Sequence, residues 1–170
     1  MKTILVDMDG VLANTNQHFI DYEYKRSGEK ILWDNISGLL EEEAFPNFLE
    51  DVNTKNFFRT VPMMENAFQG LDYLNKKYNV LIVSSATEFP NSLTEKAEWL
   101  AEHFPFISWK QMIFCGRKDF IKGDIMIDDH PKNLNIFPGQ RVLFSQPHNS
   151  NRDVEKATRV TGWDDIINIL

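Results

Sequence analysis

The sequence predicts an α/β protein: a Rossmann-like, three-layer core on a parallel sheet, with a small helical cap inserted after the first strand. Three observations carry this. Short runs rich in Ile, Val and Leu recur along the chain, helical patterns lie between some of them, and the interval after the first run is far longer than one crossover needs.

The apolar runs come in the order Thr3-Ile4-Leu5-Val6, Val80-Leu81-Ile82-Val83, Met112-Ile113-Phe114, Ile125-Met126-Ile127 and Val142-Leu143-Phe144. They are short and do not alternate with polar residues, as befits strands buried on both faces of a parallel sheet. Ala67, Leu71 and Leu74 repeat at helical spacing before the second run; Leu93, Ala97, Leu100, Ala101 and Phe104 do so after it. Asn91 or Ser92, just past Pro90, is a candidate cap for that second helix. Trp163 to Leu170 reads as a last helix. In the long interval, Phe19 and Tyr22 suggest one helix, and Leu39, Leu40, Phe45, Phe48, Leu49 and Val52 at least one more, broken near Pro46. The expected division is a core of residues 1–13 and 64–170 with a helical cap over 14–63; the alternative is extra helices packed on the core.

Composition narrows the function classes. The 170 residues suit one domain with a modest insertion. A net charge of -7 without a basic block argues against a nucleic-acid polymer as partner, though not against a small anion held by a metal and a few cations. No stretch approaches a membrane span, and the first apolar run is too short for a signal peptide. Cys115 is the single cysteine, so no internal disulfide forms; it reads as a buried thiol at a strand end. A reduced, cytoplasmic setting is expected.

In open parallel sheets ligands bind at the carboxyl ends of the strands. There the sequence places Asp7-Met8-Asp9-Gly10, then Ser84-Ser85, and later Asp128-Asp129, with Arg117, Lys118 and Lys122 shortly before that last strand. This set suits phosphoryl transfer. One carboxylate can attack phosphorus while a second gives a proton to the leaving oxygen and takes one from water. Mg2+ accepts one or two carboxylates beside phosphate and waters, and Asp7 and Asp128 can supply them. Ser84 can hold a phosphate oxygen, and Lys118 or Lys122 can offset the charge gathering at phosphorus. A phospho-accepting receiver domain uses similar groups, but with its acidic pair first and its acceptor on a middle strand, opposite to the order here. Glu41-Glu42-Glu43 reads as a solvated helix face, and His148 as a rim-loop residue.

Taken together, Asp7-Met8-Asp9-Gly10-Val11-Leu12, Ser84, Lys118 and Asp128-Asp129 resemble the four motifs of the haloacid dehalogenase superfamily of phosphatases. Ala13, Phe57-Phe58, the ten-residue step from Lys118 to Asp128, and His148-Asn149 extend the resemblance to the 5'(3')-deoxyribonucleotidases. The resemblance implies Asp7 as nucleophile and metal ligand, and Asp9 as acid/base and metal ligand through its backbone carbonyl. It further implies Asp128 as a ligand of Mg2+, Asp129 as support, and Ser84 and Lys118 as catalytic partners. Gly10, Ser85, Arg117, Phe57 and Phe58 are the candidate phosphate- and substrate-binding residues. The implied substrate is a deoxynucleoside monophosphate, and the implied assembly a homodimer. Three positions depart from the family pattern: Asn14-Thr15-Asn16, Ser84-Ser85-Ala86, and His130 where an arginine often stands. They touch the pocket and not the acids. Another small phosphate ester, such as a sugar phosphate, is the alternative substrate.

Overall fold

The structure is a computed structural model and describes residues 1–170. In chain order the elements are β1 (Thr3–Val6), α1 (Thr15–Ser27), α2 (Glu41–Ala44), α3 (Phe48–Asn53), α4 (Ala67–Lys77), β2 (Asn79–Ser84), α5 (Pro90–His103), β3 (Met112–Phe114), β4 (Ile125–Asp128), α6 (Pro131–Ile136), β5 (Gln140–Phe144), β6 (Ala157–Val160) and α7 (Trp163–Ile169), with short 3-10 turns between. All six strands pair in parallel in the order β3-β2-β1-β4-β5-β6. β1 is therefore central, and Asp7 leaves it where the sheet is best supported.

Successive strand residues face opposite layers. Ile4, Val6, Ile82, Ile127 and Phe144 pack with Leu71, Leu74, Trp99, Trp163 and Ile166 of α4, α5 and α7. Leu5, Val83, Met126 and Leu143 pack with Leu134 and Phe137 on the other face. The three layers expected from the sequence are thus present. β6 was not expected: Thr158 and Arg159 are exposed, so this edge strand shows no apolar run.

Two tryptophans tie the site loop to the core. Trp163 Nε1 donates to Val11 O at 2.8 Å and Trp99 Nε1 to Val61 O at 2.7 Å, each from a fully buried ring. Gly70 makes room for the first: a Cβ there would stand 2.2 Å from Trp163 Cε3.

Between β1 and α4 the chain forms helices and turns around a cluster of its own, Phe19, Ile20, Ile36, Phe45, Val52, Phe57 and Phe58. Pro46 separates α2 from α3, as a residue without an N–H should. Two expectations for α5 fail. It starts at Pro90, whose fixed φ suits the first helical position, so Asn91 and Ser92 lie inside the helix and cap nothing. Its buried face is also not Leu93, Ala97 and Ala101 but Ser92, Glu95, Lys96, Trp99 and Leu100. Polar residues stand there because that face meets the site and the inserted helices rather than the sheet alone. Cys115 is half-buried, not fully buried.

Candidate active site

The loop after β1 folds back on itself: the N–H groups of Leu12 and Ala13 both donate to Met8 O at 2.9 Å. Gly10 adopts φ +72°, and a Cβ on it would fall 2.0 Å from Asp129 Oδ2. A left-handed turn pressed against a carboxylate leaves glycine as the fitting residue. The turn aims Asp7 and Asp9 into a cavity of about 210 Å3 between the strand ends and the inserted helices.

Asp7 Oδ1 accepts the Met8 N–H at 2.7 Å and lies 2.7 Å from Lys118 Nζ. The same ammonium donates to Asp128 Oδ2 at 2.7 Å. Lys118 is buried whereas Lys122 is exposed, so the structure places Lys118 at the site. Burial opposes the lysine's charge, but Asp128 and Asp7 hold its pKa above the ordinary value. Burial pushes the Asp7 carboxyl well up, only partly offset by Lys118. Asp128 is also fixed by the His130 N–H at 2.8 Å and by Asn133 Nδ2 at 3.0 Å, a contact the sequence did not suggest.

Asp7, Asp128 and Asp129 each bring one carboxylate oxygen within 4.8 Å of the others. Asp129 Oδ1 is buried without a hydrogen-bond partner, and burial raises the Asp129 pKa to about 8. Three buried carboxylates share one lysine. Such a surplus of hard, negative oxygens fits a divalent cation. The side chain of Asp9 is not part of the cluster.

Asp9 instead pairs with Lys96, whose Nζ bonds to Asp9 Oδ2 and donates to Ser84 Oγ at 3.0 Å. Lys96 is a cavity-lining residue that the sequence reading missed. The signal was its register: Lys96 shares a helical stripe with Trp99 and Leu100, where a solvated lysine has no place. Ser84 is wholly buried against it, and Ser85 lines the cavity.

The aromatic candidates separate. Phe58 lines the cavity with Phe19, Phe48 and Phe89, and its ring lies 4.9 Å from Lys96 Nζ. Phe57 does not reach it; the ring is fully buried against Phe19, His18 and Tyr22 as packing of the inserted helices. Arg117 is also not brought to the site. Its side chain is 71% exposed and pairs with Asp119, with Nε at 3.1 Å from Oδ1. Lacking a buried anion to draw it inward, it stays in solvent.

Glu41 is not a solvated residue either. Its Oε1 lies 3.0 Å from Nδ1 of His148, a buried ring stacked on His130 at 4.3 Å. His148 Nε2 reaches Asp129 O at 3.0 Å, so it joins α2 to the acidic cluster and is not a free rim residue.

A six-stranded parallel sheet with an Asp-x-Asp loop at its central strand and a late Asp-Asp pair is the fold of haloacid dehalogenase-like hydrolases. Solved structures share the fold. A haloacid dehalogenase-like family hydrolase from Streptococcus pneumoniae superposes with TM-score 0.59 at 10% identity, covering 99% of this chain and 98% of that one. A candidate HAD-hydrolase from Bacillus subtilis, bound to magnesium, superposes with TM-score 0.62 at 12% identity, covering 99% and 98%.

The family described as "5' nucleotidase, deoxy (Pyrimidine), cytosolic type C protein" matches residues 1–170, and the chain belongs to it. A 5'(3')-deoxyribonucleotidase of Bacillus subtilis (strain 168) is 35% identical over 174 residues, spanning 97% of this chain and 96% of that protein. The 5'(3')-deoxyribonucleotidase of Bacillus phage SPbeta gives the same figures.

Proposed function

We propose that this protein is a Mg2+-dependent phosphomonoesterase that releases phosphate from deoxynucleoside monophosphates through an aspartyl-phosphate. The observation that carries the reading is one cavity whose lining combines Asp7, Asp9, Lys96 and Lys118 with Phe19, Phe48, Phe58 and Phe89. The charged groups fit a phosphate dianion, the rings a flat base.

Asp7 Oδ1 is held by Met8 N–H and Lys118, while Oδ2 takes no protein hydrogen bond and is left to attack phosphorus. As the new P–O bond forms, the bond to the leaving alcohol breaks, and Asp9 delivers a proton to that oxygen. Water then attacks phosphorus and cedes a proton to Asp9, so that orthophosphate and free Asp7 result. Lys118 and Lys96 stabilise the equatorial oxygens. Asp7, Asp128 and the Asp9 carbonyl are the protein groups that would hold Mg2+, with Asp129 behind them. When bound, the ion neutralises charge on the phosphate and lets it approach the carboxylates.

The helices over 14–63 act as a cap that covers the base. A cytoplasmic setting agrees with the single cysteine and with the absence of any helix long and apolar enough to cross a membrane. Phosphate release from 5'- and 3'-deoxynucleotides and sugar phosphates, with Mg2+ and then EDTA, tests the reading. Mg2+-dependent release strongest for deoxynucleotides is expected; equal or greater release from sugar phosphates would replace the substrate.

A further inference from the structure

The chemistry above uses Lys96 but not its neighbour Glu95, a buried carboxylate on the core helix α5 that points toward the inserted helices. Glu95 Oε1 accepts the N–H of Asn56 at 2.7 Å, and Oε2 accepts the N–H of Phe58 at 2.9 Å. One carboxylate thus satisfies two backbone donors of a single tight turn. Asn56 sits at φ 68°, a left-handed conformation that asparagine adopts more readily than most residues other than glycine. The turn ends in Phe58, whose ring lines the cavity and lies 4.9 Å from Lys96 Nζ.

We propose that Glu95 is a positioning residue for substrate selection: by clamping the Asn56–Phe58 turn to α5 it sets the Phe58 ring over Lys96, and so favours phosphate esters that carry a flat base. Consecutive residues of one helix then serve the phosphate group and the aromatic wall. Lys96 serves the phosphate, and Glu95 holds the Phe58 ring in register with it. The proposal rests on the phosphomonoesterase reading above.

The test compares deoxyuridine 5'-monophosphate with deoxyribose 5-phosphate, the same ester without its base. Glu95→Gln keeps the size of the side chain but leaves one acceptor oxygen, so one turn N–H faces an amide NH2. The expected result is a fall of about tenfold in the ratio of the two kcat/KM values, the scale of one lost charged hydrogen bond, carried by KM for the nucleotide. Glu95→Asp, which keeps the charge but shortens the reach, should move the ratio the same way. In a Phe58→Ala background Glu95→Gln should leave the ratio unchanged, because there is no ring left to place. A ratio unaltered by both Glu95 variants overturns the proposal. So does an equal further loss in the Phe58→Ala background, which would mark Glu95 as a general structural support. A wild-type enzyme without preference for the nucleotide would overturn the substrate reading, and this proposal with it.

Discussion

Lys96 bonds directly to Asp9, so one of the two ammonium groups lining the cavity is already engaged by the residue assigned as acid/base. Asp9 is also within reach of Thr15 Oγ1 at 3.4 Å. An arriving phosphate dianion competes with Asp9 for this lysine, and binding therefore exchanges one ion pair for another. Lys96→Ala is expected to lower kcat/KM for any phosphate ester by about a hundredfold, the usual scale for loss of one preorganised donor. Steady-state kinetics on a nucleotide and a base-free ester check this: both should fall alike, in contrast to Phe58 and Glu95 variants.

The acidic cluster makes a prediction about metal. Asp128 is held by Lys118, Asn133 and the His130 N–H, and so is pre-set for a cation without moving. Asp128→Asn should raise the Mg2+ concentration for half-maximal activity by at least about tenfold, and EDTA should abolish turnover of the wild type. Calorimetric titration of Mg2+ into each protein provides an activity-independent check.

Stability should depend on pH through the Glu41–His148 pair. Burial works against charge in both. The Glu41 carboxylate, together with Asp129, nonetheless raises the His148 pKa to about 9 from 6.5, and His148 holds Glu41 below its ordinary 4.5. A raised histidine stabilises the fold fully below its unfolded value and ceases to do so as pH climbs through about 9; the lowered glutamate stabilises it above its unfolded value and ceases as pH falls through its folded one. Glu41→Gln should therefore lower the thermal midpoint most between about pH 4.5 and 6.5 and least above about pH 9. Melting curves of both proteins in EDTA across this range supply the comparison.

Gly70→Ala should destabilise the protein even though alanine is the better helix former. The added methyl meets the Trp163 ring at 2.2 Å in a fully packed interface. A loss of about 1–3 kcal/mol is expected from overpacking, against a helix-propensity gain of about 1 kcal/mol. Urea unfolding measures the balance.

What was legible in the sequence follows from how each residue is held. Asp7, Asp9, Asp128 and Lys118 hang from strand ends or a step of ten residues, so one dimension sufficed to place them on one rim. Lys96 reaches the site, and Glu95 the Asn56–Phe58 turn, from the face of α5, and a helical face is visible only once its buried register is known. A stripe read from Leu93 and Ala97 through Leu100 and Ala101 leaves both out, whereas Trp99 beside Leu100 would have included them. Phe57 and Phe58 are adjacent and chemically alike; the short turn pinned by Glu95 decides which ring faces the cavity. Arg117 lies one residue from Lys118, yet pairs locally with Asp119 in solvent. β6 escaped notice because an edge strand with exposed Thr158 and Arg159 carries little apolar signal.

The proposed reaction turns on phosphorylation of Asp7. The most direct measurement is an acid quench of the enzyme mixed with a deoxynucleotide bearing radiolabelled phosphate, followed by separation of protein from small molecules. Label retained on the wild type, and absent from both Asp7→Asn and the product phosphate formed by it, is the predicted result. Phosphate release by Asp7→Asn at near wild-type rate, with no label on either protein, would contradict the account.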